Sequence, residues 1–247
     1  MTPLLETKGL QLSFGGVVAA DNIDFALQRG ERLAVIGQNG AGKTTFINIC
    51  TGFLKPTAGR VFFDGHDVTD KLPRQIVRLG LGRSFQLPQL FLDHSVRQCL
   101  EIAAVGRSGQ LPFFKSLSDA VDQHEINDTL HLVGLSARAD EPTLSLPEGQ
   151  RKLLDIAMAL MLQPKLLIMD EPTSGVASED KMALMDTVMQ ALKEREVTSW
   201  FVEHDIDIVN RYATRVAAWI AGKVAADGSP AEVLALPQIQ REILGHP

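Results

Sequence analysis

Residues 37–44 read Gly-Gln-Asn-Gly-Ala-Gly-Lys-Thr, a glycine-rich turn that closes on a cation and a hydroxyl. The spacing G-x-x-x-x-G-K-[ST] is suited to phosphate. Gly37, Gly40 and Gly42 let the backbone curl tightly, so that successive N–H groups converge on an anion. Gln38, Asn39, Ala41 and Thr45 fill out the cradle, Lys43 is placed to reach β- and γ-phosphates, and the Thr44 hydroxyl is placed to ligate Mg2+. A second run, Leu166-Leu167-Ile168-Met169-Asp170-Glu171, is four apolar residues ending in two acids. Its geometry would set Asp170 to hold Mg2+ through the metal's water shell and Glu171 to polarise an attacking water. Together the two runs point to a nucleoside triphosphate and its hydrolysis.

Such groups need elements that aim them. Arg32 to Ile36 reads as a buried strand leading into the glycine turn, and Thr45 to Cys50 continues as a helix whose N-terminus adds unpaired donors and a positive dipole end. The acids of 170–171 fall at the C-terminal end of a parallel strand, where open α/β sheets place ligands. Residues 4–30 alternate apolar and polar with turns at Gly15-Gly16 and Arg29-Gly30, which predicts an antiparallel β layer continued by Arg60 to Gly65. A helix is expected from Arg151 to Leu162, and strands at Gly80 to Ser84 and Thr198 to Val202. Ala217 to Ala226 reads as a hairpin, with two short helices after it. Ile126, Leu130 and Val133 recur at helical spacing within a helix-rich stretch, and Lys193 to Glu196 reads as a solvated helix end.

The 247 residues suffice for one large α/β domain or a core with a small subdomain. With 45% hydrophobic and 22% charged residues the composition is that of a folded globular chain. A formal net charge of −6 argues against a general nucleic-acid surface. Cys50 and Cys99 both lie in apolar helical contexts, so buried free thiols in a reducing compartment are expected. Met1 to Glu6 shows no basic segment followed by a long apolar run, and no window approaches the roughly 18–20 apolar residues of a spanning helix. Work at a membrane would therefore pass through a partner.

Three further segments complete a pattern: Phe85-Gln86, Ser145-Leu146-Pro147-Glu148-Gly149-Gln150, and Val202-Glu203-His204-Asp205. In the order glycine turn, Gln86, 146–150, Asp170-Glu171, His204, the chain resembles the ATP-binding subunits of ABC transporters from residue 4 onward. The resemblance implies an α/β fold: a P-loop NTPase core of mainly parallel sheet with helices on both faces, an N-terminal antiparallel β layer and an inserted helical subdomain. It divides the single domain into a core, 1–86 with 149–247, and a helical subdomain, 87–148. It implies ATP and Mg2+ as cofactors and assigns Gln86 to sensing Mg2+ and the membrane partner. Leu146, Pro147, Glu148, Gly149 and Gln150 become the signature that caps the ATP of a second subunit, His204 the γ-phosphate switch, and Phe14 the ring that stacks on adenine.

Gly82 to Gln86, Leu90-Phe91, Ser95-Val96, Thr51 to Pro56 and Ile243-Leu244-Gly245, with an insertion around Leu111-Pro112-Phe113-Phe114, resemble importers of branched-chain amino acids and urea, in the subunit with the longer helical insertion. The implied partners are a second ABC ATPase subunit, as homo- or heterodimer, two membrane permeases, and a periplasmic or extracellular solute-binding protein, with no nucleic acid. The expected place is the cytoplasmic face of the cell membrane, peripheral through the permease. Leu87, Pro88, Leu90, Phe91 and Leu92 are candidates for the groove that receives the permease, and packing inside the subdomain is the other account of them. Departures exist. Pro147 replaces a usual Ser and brings neither hydroxyl nor N–H, Met158 replaces a frequent Arg, and Gly175-Val176-Ala177 replaces the usual Leu-Asp of the dimer-contact loop. Alternatives are an ATPase of lipid or lipopolysaccharide export, a soluble ABC protein of DNA repair or translation, and a non-catalytic ATP-binding regulator. The absence of an internal repeat or sustained heptads tells against the second. The intact Lys43, Asp170, Glu171 and His204 tell against the third.

Overall fold

The computed structural model describes residues 2–108 and 116–245. The chain divides by its contacts into two compact units, Met1–Leu81 with Thr198–Pro247, and Gly82–Val197. In the first, alternating apolar residues form β1 (Leu5–Phe14) and β2 (Val17–Leu27), paired antiparallel, with β4 (Ala58–Phe63) on the other side of β1 and the short β5 (His66–Asp67) beyond it. This is the expected antiparallel layer. A second sheet in the same unit centres on β3 (Arg32–Gly37), flanked in parallel by β8 (Thr198–Val202) and β9 (Arg215–Ile220). The hairpin partner β10 (Lys223–Gly228) runs antiparallel to β9. Strands β3, β8 and most of β9 are buried, as continuous apolar runs require.

One packing feature ties this sheet to the helix that follows the glycine turn. In α1 (Lys43–Cys50) the fully buried Phe46 lies with its ring centroid 4.9 Å from Trp219 of β9 and 5.4 Å from Trp200 of β8. Phe25 of β2 closes the cluster edge-on to Phe46 at 5.8 Å. Rings at these separations add roughly 0.5–1.5 kcal/mol per pair beyond their burial. The remaining elements of this unit are α2 (Pro73–Leu79), α7 (Ile206–Tyr212), α8 (Pro230–Leu234) and α9 (Pro237–Glu242). Gly80 ends α2 at φ 104° instead of starting the next strand, since only glycine adopts that conformation without strain.

The second unit holds β6 (Leu81–Ser84, its first residue shared with the first unit) and β7 (Leu166–Asp170) as neighbours, with α3 (Val96–Ser108), α4 (Gln123–Leu132), α5 (Glu148–Met161) and α6 (Ser178–Glu194). Ile126, Leu130 and Val133 pack with Leu100 of α3 and with Leu154, Ala157 and Met161 of α5 in one apolar cluster. This cluster draws α5 in with α3 and α4, so the compact unit runs wider than 87–148. The expected insertion around Leu111 to Phe114 lies outside the described residues. Helix α5 begins at Glu148, three residues before the expected Arg151, because Pro147 at φ −58° already has the backbone angle of a helix entry and needs no N–H there. Cys50 and Cys99 are buried free thiols, and burial pushes both thiol pKa values up. Among the described residues no helix is long and apolar enough to cross a membrane.

Phe46→Ala removes the ring that docks α1 on the sheet, and a loss of about 3–5 kcal/mol of unfolding free energy is expected. Equilibrium urea denaturation measures it, and a loss under about 1 kcal/mol would contradict the anchoring role.

Candidate functional site

Strand β3 delivers Gly37 to a loop with almost no room for side chains. A Cβ on Gly37 would run into the Trp219 carbonyl, and one on Gly42, at φ 99°, into the Ala19 carbonyl. Gly40, by contrast, faces open space. The loop thus threads between two strand carbonyls and opens on one side, beside a cavity of about 540 Å³ lined in part by Gln38, Asn39, Gly40 and Ala41. No side chain caps the N-terminus of α1. Helix-end donors left to a ligand, with the dipole behind them, suit a polyphosphate. Lys43 is buried, and its Nζ donates to the carbonyls of Gly37 at 2.6 Å and Gln38 at 2.9 Å. The loop is further tied to α9, where the Gln38 amide donates to the Glu242 carbonyl, a contact that nothing in the local pattern foretells. Thr44 is exposed on the first turn and Thr45 half-buried behind it.

His204 lies at the same end of this sheet. Val35 and Val202 are register partners in parallel strands, and the Glu203 N–H donates to the Val35 carbonyl at 3.2 Å. His204 is exposed, with its N–H on the buried Glu203 carboxylate and Asp205 capping α7 just beyond. Phe14, at the turn between β1 and β2, is 51% exposed, so core packing does not account for it.

In the second unit the ends of β6 and β7 bring Gln86 and the acidic pair together. Gln86 Nε2 donates to Glu171 Oε2 at 2.8 Å. Asp170 is buried and accepts from Arg83 Nη2 at 3.1 Å. Burial pushes the Arg83 guanidinium down and the Asp170 carboxylate holds it up, while the Phe85 ring lies 4.8 Å under it. Glu171 sits at φ 51°, a left-handed conformation uncommon for glutamate. The signature segment turns from loop to helix at Pro147, so Glu148, Gly149 and Gln150 form the first turn of α5 and Leu146 is spent in the apolar cluster. With Gly175, Val176 and Ala177 they line a separate cavity of about 540 Å³. Leu87, Phe91 and Leu92 are exposed, Leu87 at 74%, whereas Leu90 packs on the apolar cluster.

Two residues of this region escaped the sequence reading. Lys152 and Asp155 lie on the buried side of α5, and both bond to the segment 85–89. The available signal was a pair of charges three apart inside an otherwise apolar helical run. Asp155 accepts from the N–H groups of Phe85 and Gln89, both at 3.1 Å. Burial raises its carboxyl to about 6, the two backbone bonds and Lys152 pulling the other way. Among the described residues no cluster of three or more His, Cys, Asp or Glu forms a metal site. Thr44 in the first unit, and Gln86 and Asp170 in the second, each carry oxygen donors of the type that the hard cation Mg2+ takes.

Because the Asp155 carboxyl binds its proton more tightly in the fold than the roughly 3.9 of a free Asp, stability is expected to fall as pH rises from about 4 to about 6 and to level off above. Urea midpoints of wild type and Asp155→Asn between pH 4 and 7 test this. The difference between them should change across that window, and a constant difference would refute the raised carboxyl.

The family model described as ABC transporter matches residues 20–174. The chain is 36% identical over 98% of its length, and 95% of the relative's, to a probable branched-chain amino acid transport ATP-binding protein LivG of Archaeoglobus fulgidus. It is 32% identical to a high-affinity branched-chain amino acid transport ATP-binding protein LivG of Salmonella typhimurium, over 98% of both chains. Among solved structures it is similar to the ATP-binding cassette MJ1267 of an ABC transporter, with a TM-score of 0.85 and 31% identity over 98% of both chains. The ADP conformation of the same cassette matches over the full length of both at a TM-score of 0.82 and 30% identity. The glycine loop, the strand-end acids and these full-length likenesses converge on an α/β P-loop ATPase that couples ATP hydrolysis to transport, and the chain belongs to the ABC transporter family of ATP-binding subunits.

Proposed function

We propose that this chain hydrolyses ATP to drive an importer of branched-chain amino acids or a related small solute through membrane permeases. The observation that carries the reading is the near full-length match to relatives named for branched-chain amino acid transport in an archaeon and in bacteria. Those names favour import over the lipid-export alternative. The remaining partners proposed are a second ABC ATPase subunit, and a solute-binding protein on the far side of the membrane. The proposed place is the cytoplasmic face, held there by the permease. The helical subdomain, proposed at 87–148, would carry the movement to the permease, with the exposed Leu87, Phe91 and Leu92 as its candidate contact.

The proposed chemistry follows from the residues. Loop 37–45 and the start of α1 bind the phosphates, with Lys43 exchanging loop carbonyls for phosphate oxygens. Phe14, exposed at its turn, stacks on the adenine. Thr44, Gln86 and Asp170 would hold Mg2+, which when bound neutralises charge on the β- and γ-phosphates. Glu171 polarises the attacking water, and its hydrogen bond from Gln86 keeps the carboxylate in one orientation. His204 contacts the γ-phosphate. Residues 146–150 cap the ATP of the second subunit. Closure does work because ATP binds the closed pair of subunits better than the open one.

Glu171→Gln is expected to keep ATP affinity while hydrolysis falls on the order of 10²–10⁴-fold, the usual contribution of a positioned base. Phosphate release by the purified chain, alone and with its permeases, measures it, and near-wild-type release would remove Glu171 from that role. Uptake of labelled leucine by cells carrying this variant tests the cargo class, and unimpaired uptake beside lost hydrolysis would exclude it.

Pro147→Ser would supply a hydroxyl and an N–H to the γ-phosphate across the dimer. A bond to a charged group contributes about 1.5–3 kcal/mol, so ATP-driven dimerisation of the Glu171→Gln protein should tighten roughly tenfold to a hundredfold. Serine would also cap α5, which Pro147 leaves without a side-chain cap, and raise stability by about 1 kcal/mol. Sedimentation with and without ATP separates the two effects. Equal dimer affinities would leave Pro147 as a helix-starting residue.

A further inference from the structure

Gln86 and Glu171 meet at the ends of two strands, on segments 85–89 and 171–174 that belong to no helix or strand. What holds these segments is α5, through two buried charges. Lys152 is 3% exposed, and its Nζ donates to the carbonyl oxygen of Gln86 and, at 3.3 Å, to that of Glu171. One turn on, Asp155 is 7% exposed and takes the N–H of Phe85 on Oδ2 and the N–H of Gln89 on Oδ1. Gln86 is thereby gripped at its own carbonyl and on both flanks, and the left-handed backbone of Glu171 is tied to the same lysine.

Burying an ammonium and a carboxylate is costly, and apolar residues of similar volume would pack the helix at least as well. Four hydrogen bonds run instead from this pair to the backbone of Phe85, Gln86, Gln89 and Glu171, on either side of the Gln86–Glu171 contact. We propose that Lys152 and Asp155 are positioning residues for ATP hydrolysis, fixing Gln86 against Glu171. Since α5 opens with Glu148, Gly149 and Gln150, the same rigid helix joins the signature turn to this contact. A displacement at the helix start therefore reaches Gln86 through two side chains. The inference rests on the proposed roles of Gln86 and Glu171 in hydrolysis.

The test uses the full chain with Lys152→Met, Lys152→Arg, Asp155→Asn and Gln86→Ala, read by ATP titration, steady-state kinetics and amide hydrogen exchange. Lys152→Met and Asp155→Asn are expected to lower kcat about 10–100-fold with KM and ATP affinity unchanged, the range in which misplaced supporting contacts act. Lys152→Arg, which keeps a cationic donor, should retain more kcat than Lys152→Met. Exchange at the Phe85 and Gln89 amides should be slow in the unsubstituted protein and faster in Asp155→Asn. Lys152→Met combined with Gln86→Ala should be no slower than the slower single variant, because both act through one contact.

Multiplicative losses in the double variant would overturn the proposal, as would a raised KM with kcat intact. Fast exchange at both amides in the unsubstituted protein would overturn it without any variant having to fold. Normal hydrolysis by Glu171→Gln would overturn the site assignment and this inference together, whereas the exchange and double-variant results bear on the inference alone.

Discussion

The position of the phosphate loop depends on Phe46 packed between two indoles. Helix α1 has eight residues, too few to hold itself together in water. It persists because Phe46 is sandwiched against Trp200 and Trp219, on the strands flanking β3. The loop before it must then pass between the Trp219 and Ala19 carbonyls, which is why Gly37 and Gly42 have no alternatives. Side chains there would lift the helix off the sheet and lose the ring contacts. The indole nitrogens of both tryptophans are buried without a hydrogen-bond partner among the described residues, a cost that the packing must offset. The anion site is thus a product of core packing as much as of loop composition.

The second unit solves its positioning problem with charge. Asp170 is set by the half-buried Arg83, Gln86 by Lys152 and Asp155, and Glu171 by Gln86 and Lys152. Each contact exchanges hydration for a directed bond, which is a poor route to stability and a good route to a single geometry. The raised Asp155 carboxyl records that exchange: burial opposes its charge more strongly than two N–H groups and a lysine favour it. Such destabilised groups gather where function needs fixed atoms.

Pro147 acts at the junction of these themes. It gives α5 a start that places Glu148, Gly149 and Gln150 on a helical turn, beside the cavity shared with Gly175, Val176 and Ala177. It also withholds the hydroxyl and N–H that a serine would present there. Helix geometry is secured; on the proposed role of residues 146–150 one phosphate contact is forgone, and two unequal ATP sites would result if the second subunit carried a complete signature.

The local features were legible because they are local. A glycine turn between an apolar strand and a helix, and two acids at a strand end, declare themselves within ten residues. The antiparallel layer and a hairpin over 217–226, found at 215–228, likewise followed from the residue pattern, as did the helical spacing of Ile126 and Leu130 in α4. The grip on Gln86 was not legible, because its bonds join residues 66 and 70 positions apart and depend on which face of α5 is buried. The tie from Gln38 to Glu242 spans 204 positions and leaves no trace in either segment. Phe14 could be core or surface on its pattern alone, and only its place at the turn left it exposed. Residue spacing determined which chemistry the chain carries, since phosphate binding needs particular donors in a short run. Tertiary structure decided how those donors are held, since burial and long-range backbone bonds are set by what packs against them.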